Sequence, residues 1–317
     1  MILYSAGSRD SALTNHGYQQ ALRLGQHFAA LGLAFTHIFS SHLQRAVKTA
    51  DLIRYAQAAL TGDDGSTVSL PAVVQLPGLM ERDFGCYEGK KFDARGTELD
   101  RQARQDTPDF VDVESKQSLA RRADGFLDEH LLPLLESSAK EPESIIAVVS
   151  HGILLSALWK RLLLRLPAKS VTMSPKLATT VRNNIEHLGG WSNTGYLELH
   201  MMHKPAKHPL VSVDPCPSPT LAPSVPDLRE PGASAVVVVS GINIDPSEPS
   251  TATTRSAAVA SAPVSPKLGI EWVTMIKTVN GKDHLKNLKR TGGGIGSSRH
   301  DTSQKNINSF FKRRKLE

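Results

Sequence analysis

Three stretches of this chain place residues suited to phosphate chemistry at the ends of regular elements. The first is Ser144-Ile-Ile-Ala-Val-Val-Ser-His-Gly152, in which Ile145 to Val149 is a continuous apolar run rich in β-branched residues. Such a run reads as a strand buried on both faces, and the apolar sequence from Gly152 to about Leu164 reads as the helix after it. His151 then stands at the carboxyl end of a strand, beside the backbone N–H groups of a helix opening at Gly152, a place that favours anions. Taken alone, the stretch describes either a binding imidazole or a structural histidine satisfied by its neighbours.

The second stretch, Ser40-Ser-His-Leu-Gln-Arg45, puts a guanidinium in the first turn of a helix that follows a strand. An arginine there can grip a phosphate with two parallel N–H groups, or can pair with an acid on an exposed helix face. The third, Leu79-Met-Glu-Arg-Asp-Phe-Gly-Cys-Tyr-Glu88, offers Glu81, with Asp83 and Glu88 as alternatives. A partly desolvated carboxyl has a raised pKa and suits a proton donor to a leaving group; a solvated one does not.

The elements that must position these groups follow the α-β-α succession of a parallel sheet covered by helices. Thr14 is suited to cap a helix carrying Ala21, Leu22, Leu24, Phe28, Ala29 and Leu31 and ended by Gly32. Phe35 to Phe39 reads as a strand, Ser40-Ser41 as the turn after it, and Leu43 to about Ala59 as the next helix. Thr61 to Leu70 reads as a surface loop, and Leu119 to about Leu135 as a long amphipathic helix.

Charge and composition narrow the functional classes. From Ser265 to Glu317 there are 12 Lys/Arg and 4 Asp/Glu, a balance of +8, whereas the residues before them balance at −2. The basic character belongs to the tail, where it speaks of import signals or polyanion contact and not of a nucleic-acid-binding domain. Two cysteines, Cys86 and Cys216, are far apart and lack metal-ligand spacing, which argues against a disulfide framework or a zinc site and fits a reducing compartment. No signal peptide or membrane span is expected, so the chain reads as soluble and intracellular.

Arg45, Glu81 and His151 also carry a resemblance. Ser40-Ser41-x-Leu43-x-Arg45-Ala46-x-x-Thr49-Ala50 resembles the second motif of the histidine phosphatase superfamily, phosphoglycerate mutase-like branch. Leu79-Met-Glu81-x-x-Phe84-Gly85-x-x-Glu88-Gly89 is similar to that branch's acid-bearing loop, and Val148-Val-Ser-His151-Gly152 to its second histidine motif. Glu114-Ser115, ahead of Arg122, is similar to its Glu-Ser motif, and Leu13-Thr14-x-x-Gly17-x-x-Gln20-Ala21 to its first helix. The resemblance covers about residues 6 to 200. It implies a three-layer α/β sandwich with a mostly parallel sheet, and a phosphomonoesterase or mutase working through a phosphohistidine on a small phosphorylated substrate. By the same resemblance Arg45, His151 and the backbone at Gly152 bind the phosphoryl group, Glu81 protonates the leaving group and activates water, and no metal or cofactor is required.

One departure bears on activity. The family opens with a central strand ending in Arg-His-Gly, whose histidine is the nucleophile, and this sequence has no such triplet. Ala6-Gly7-Ser8-Arg9-Asp10 resembles the loop between that histidine and the first helix, while His16 and His42 are poor substitutes by position. The expectation is a truncated or misassigned start, with the first central strand missing and no turnover by the chain as written. The other expectation is a degenerate phosphatase fold kept for interaction.

Residues 1–203 are thus expected to form the phosphatase-like domain. Residues 204–267, rich in Pro, Ser and Ala, read as a disordered linker, and 268–317 as a basic tail. Within the linker, Ala235 to Ile244 is a β-prone run suited to pairing with a partner's sheet edge, and beyond it Gly269 to Val279 is a further short apolar patch that reads as a transient strand. Near the end, Gln304, Ile307, Phe310 and Phe311 have the spacing of a hydrophobic plug on one helical turn, and resemble the PCNA-interacting peptide that docks on the sliding clamp. Lys312, Arg313, Arg314 and Lys315 read as a patch for an import receptor, or as a solvated charge cluster. The expected location is nucleus and cytoplasm.

Overall fold

The computed structural model describes residues 7–58, 70–90, 110–138, 144–178, 185–204, 233–240 (backbone) and 268–288. Among these, seven strands form one sheet in the order β2-β1-β3-β6-β5-β7-β4. The strands are β1 (His37–Ser41), β2 (Val73–Leu76), β3 (Ile145–Ser150), β4 (Val171–Met173), β5 (Tyr196–His203), β6 (Ala233–Ser240) and β7 (Trp272–Gly281). β1, β2, β3 and β6 run parallel, β5 runs against both β6 and β7, and β4 is parallel to β7.

Strand alternation makes the layers. Ile38, Ala147 and Val149 face α1 (Asn15–Ala30) and α2 (Gln44–Gln57), through Leu24, Phe28, Ala46, Ala50 and Ile53. Phe39, Ile146 and Val148 face the opposite way. They pack against α3 (Lys116–Phe126), α4 (Leu132–Ser138) and α5 (Gly152–Leu163), through Phe126, Leu127, Leu131, Leu154 and Leu158. With helices on both faces of a mostly parallel sheet, the fold is a three-layer α/β sandwich. A short helix α6 (Pro175–Ala178) follows β4. Thr14 caps α1 by accepting a hydrogen bond from Gly17 N at 3.1 Å. Between α3 and α4 the helix widens into a π turn at Leu127–Leu131. Pro133 follows, and its ring and missing N–H disfavour a regular turn there.

The structure departs from the sequence reading in three places. β1 lies two residues later than expected, so Ser40 and Ser41 belong to the strand and not to a turn. Both are fully buried, and their hydroxyls bond locally: Ser40 Oγ donates to Ser41 O at 2.8 Å, and Ser41 Oγ accepts from Leu43 N at 3.2 Å. The second departure lies within the expected linker, where Ala233–Ser240 is strand β6. It pairs with β3 from Ile145↔Ala235 to Ser150↔Ser240, and with β5 from Tyr196↔Val239 to Met202↔Ala233. The run suited to a partner's sheet edge therefore fills the centre of this chain's own sheet, the place expected to be missing a strand. Third, Trp272–Gly281, assigned to the basic tail, is strand β7, with Trp272 and Ile276 in the core. Both runs stand out in the sequence, but their pairing within this chain's own sheet does not, because strand pairing is non-local and leaves little local signal. The expected loop at 61–70 falls, except for Leu70, outside the described residues.

α5 is tied to α3 by charge. Arg165, just beyond α5 and 2% exposed, donates to Asp128 at 2.8 Å and pairs with Asp124 at 2.8 Å; Arg161 holds Asp124 at 2.7 Å. Removing the buried partner takes the guanidinium from Asp128, while Asp124 keeps Arg161, so Arg165→Ala is expected to cost about 2–3 kcal/mol in urea unfolding, with Arg161→Ala costing less. Equal, small losses for the two variants would contradict this assignment.

Candidate active site

Parallel pairing brings the site together. Ser40 pairs with Val149, so Ser41 and Ser150 end their strands at one rim, and Ser240 is level with Ser150 on the other side. His151 follows β3 directly, and Arg45 lies in the first turn of α2, four residues after Ser41. Glu81 comes to the same rim from the loop after β2. That loop is tied down where Ser150 Oγ donates to Leu79 O at 2.7 Å.

Glu81 is 1% exposed and its carboxylate accepts three backbone hydrogen bonds. Oε1 takes Arg82 N at 2.9 Å and Leu154 N at 3.1 Å, and Oε2 takes Ile153 N at 3.1 Å. Ile153 and Leu154 are in the first turn of α5, where N–H groups lack intrahelical partners. His151 is the N-cap residue of α5 but makes no side-chain capping bond. Glu81 caps the helix from a distant loop. This corrects part of the sequence reading, since two of the N–H groups expected to face an anion are satisfied by a carboxylate. Burial raises the pKa of Glu81, and the three N–H donors and Arg45 restrain that rise.

His151 is completely buried, and neither ring nitrogen has a hydrogen-bond partner. Burial, with Arg45, His42 and Arg122 nearby, holds its pKa well below the usual histidine value, so the ring is neutral at pH 7. A buried imidazole without partners is costly and suits a ligand that can supply both. Arg45 is 3% exposed and electrostatically coupled to both Glu81 and His151. Its outer nitrogens donate at 2.7 Å to Arg9 O and at 2.7 Å to Gly7 O, so the guanidinium also anchors the loop before α1. Gly152 is buried at the start of α5.

The alternative acids are placed as braces. Glu88 accepts from Gly7 N at 3.1 Å, Ser8 N at 2.9 Å and Phe84 N at 2.9 Å, and Asp83 accepts from Gly85 N at 2.7 Å. Gly7 is required where it sits, since a Cβ there would lie 2.1 Å from Arg82 O. Arg122 belongs to the site's framework, although the sequence reading used it only to mark spacing. It grips Glu114 through Nε at 2.8 Å and Nη2 at 2.6 Å, and its Nη1 donates to Gly78 O and Met80 O at 2.8 Å each. The loop carrying Glu81 is thereby fixed to α3. The Glu-Ser spacing before Arg122 was the signal that could have found this pairing.

Gln304, Ile307, Phe310, Phe311 and Lys312 to Lys315 lie outside the described residues.

A carboxyl whose folded pKa lies above its unfolded value holds more protons when folded. Its contribution is full below the unfolded pKa and is lost as pH rises through the folded one. Stability of the native chain should therefore decline as pH rises from the ordinary carboxyl pKa to the raised pKa of Glu81, and level off above it. Glu81→Gln should flatten that decline in urea titrations, while itself costing about 1–2 kcal/mol, because one capping acceptor is lost. Parallel pH profiles for the two proteins would refute the buried-acid assignment.

Comparison with known proteins bears on the same residues. The family model of the histidine phosphatase superfamily (branch 1) matches residues 4–191. The Schizosaccharomyces pombe protein named "Probable phosphatase C1620.13" is 36% identical over 164 residues, covering 50% of this chain and 51% of its own length. "Probable phosphoglycerate mutase GpmB" of Cronobacter sakazakii is 36% identical over 158 residues, covering 48% of this chain and 63% of its own. The chain thus spans between half and just under two thirds of these curated relatives. The solved structure of a mycobacterial glucosyl-3-phosphoglycerate phosphatase is 24% identical with a TM-score of 0.42, covering 61% of this chain and 82% of that one. More than half the chain, including Arg45, Glu81 and His151, falls within the match, and this chain belongs to the histidine phosphatase superfamily (branch 1).

Proposed function

We propose that this site serves phosphomonoester hydrolysis by the histidine-phosphatase route, on a small phosphorylated substrate. The observation that carries the reading is His151, a fully buried imidazole with both nitrogens unpartnered, electrostatically coupled to Arg45. A phosphoryl group between them would accept from the guanidinium and from the imidazole, and would bear the charge that both are suited to stabilise. Glu81, a carboxyl with a raised pKa at the same rim, protonates the departing alkoxide as the P–O bond breaks and a nucleophilic histidine bonds to phosphorus. It then takes the proton of the water that attacks the phosphohistidine, which releases phosphate and restores the imidazole.

The nucleophile in this scheme is the histidine of the Arg-His-Gly strand, a triplet that this sequence lacks. The chain as written is therefore proposed to bind the phosphoryl group without turning it over. A second reading, a phosphatase fold retained for interaction, is favoured by one observation: the centre of the sheet is filled by Ala233–Ser240, a strand without a histidine. In that reading the tail tethers the protein to a sliding clamp in the nucleus. Gln304, Ile307, Phe310 and Phe311 supply the plug, and Lys312, Arg313, Arg314 and Lys315 supply import and charge contacts.

Phosphate or vanadate titration tests the site. An anion raises the pKa of the neutral His151, so binding should take up protons at pH 7 and strengthen as pH falls, visible as buffer-dependent heats in calorimetry. His151→Ala and Arg45→Ala should each weaken binding by about 10-fold or more, and His151→Ala should abolish the proton uptake. Unchanged affinity in both variants would remove the assignment. Turnover of p-nitrophenyl phosphate should be absent in this chain and present in a form extended by an Arg-His-Gly strand; turnover by the chain itself would overturn the proposed lack of a nucleophile.

For the tail, a peptide spanning Gln304 to Lys315 should bind a PCNA-type clamp in fluorescence anisotropy, and Phe310→Ala/Phe311→Ala should weaken it by about 100-fold, as for two buried aromatic anchors. Equal binding by the two peptides would dismiss the clamp proposal.

A further inference from the structure

β6 is the strand whose place in the sheet is least expected from its place in the chain. Among the described residues β3 and β5 are joined only through it: β6 pairs parallel to β3 over six residue pairs, and antiparallel to β5 over seven. Without it the sheet consists of two pieces, β2-β1-β3 and β5-β7-β4, each with an unpaired edge.

Chain length shows how loosely this strand is tied. The end of β5 and the start of β6 are neighbours, with Met202 opposite Ala233, and an antiparallel pair can be joined by a two-residue turn. Here 28 residues lie between Lys204 and Ala233. Another 27 residues lie between Ser240 and Leu268, where β6 must connect back along roughly one strand length, a span that about 8 extended residues cover. Both connections hold far more residues than the geometry needs, so chain length by itself does not hold the segment in the sheet.

The sequence marks out the insert. Ala233-Ser-Ala-Val-Val-Val-Val-Ser240 has no charge, no proline and four consecutive β-branched residues. Pro231 and Pro246 flank the segment in the sequence, and a proline cannot donate to a central ladder. Such a segment pairs with two edges through its backbone, which is how strands are accepted from outside a sheet.

We infer that the slot between β3 and β5 is a strand-acceptor site, and that residues 233–240 of this chain fill it as a detachable insert. The site fits one extended segment of about eight small or β-branched residues running parallel to β3. Its occupant ends beside His151, because Ser240 is level with Ser150. When the insert is in place both edges are sealed; when it leaves, two unpaired edges face each other next to the phosphate site.

Hydrogen exchange on the intact chain tests this without any substitution. Amides of 236–239 should exchange about 10- to 1000-fold faster than the slowest amides of 146–149, and still at least about 100-fold slower than an unstructured peptide, the signature of sub-global opening. Absence of protection would mean that the segment does not occupy the slot. Protection equal to that of β3 would mean that it is a permanent strand, and either result overturns the inference.

A second measurement uses a variant with residues 233–240 replaced by Gly and Ser, to which a synthetic peptide of residues 233–240, flanked by lysines for solubility, is added. Saturable 1:1 binding with a rise in Tm is expected, and a mixed peptide of the same composition with a central proline should bind at least about 10-fold more weakly. Absence of saturable binding to a variant that retains its helical circular dichroism would overturn the inference. These readouts involve no phosphate, so they stand or fall separately from the proposed hydrolytic site.

Discussion

A carboxylate held against a helix N-terminus is the interaction on which the site depends. Glu81 takes the N–H groups of Ile153 and Leu154, and so couples a loop after β2 to the helix that opens behind His151. The helix gains a cap that His151, being its N-cap residue, does not give it through its side chain. The imidazole is released from capping and keeps its nitrogens for another partner. One contact thus settles where the acid lies, how the helix begins and why the histidine has nothing to bond to.

Around that contact the site is a nest of desolvated charge. Arg45 and Arg122 are the two guanidinium groups that set its character, and they divide the work. Arg122 is neutralised by Glu114 and spends its remaining donors on the carbonyls of Gly78 and Met80, which stiffens the acid loop. Arg45 faces Glu81 and His151 while holding the carbonyls of Gly7 and Arg9. A guanidinium suits this double duty because its planar fork offers five donors in fixed directions; a lysine could not serve both loop and anion.

What was legible in the sequence follows from how local the signal is. The positions of Arg45, Glu81 and His151 were readable because each sits at a strand or turn end marked by adjacent glycine, serine or apolar runs, and the parallel sheet then brings such ends to one rim. The roles of Glu88 and Asp83 were not readable, since which of three nearby acids turns inward depends on contacts with Gly7, Ser8 and Gly85. Nor was the fate of the helix N–H groups, because the carboxylate that takes them is some 70 residues away in sequence. The strands β6 and β7 escaped for a related reason. A four-valine run among prolines and serines carries the same local signal whether it pairs at home, with a partner or not at all.

The order of strands also sets a schedule for biosynthesis. β3 emerges from the ribosome long before residues 233–240, so the β2-β1-β3 piece can pair well before its neighbour β6 is made, while β5 and β4 wait further for β7. During that interval the edges of β3 and β5 are open to whatever extended polypeptide is near. Closure from so distant a segment raises the contact order of the fold, which slows the last step of its maturation.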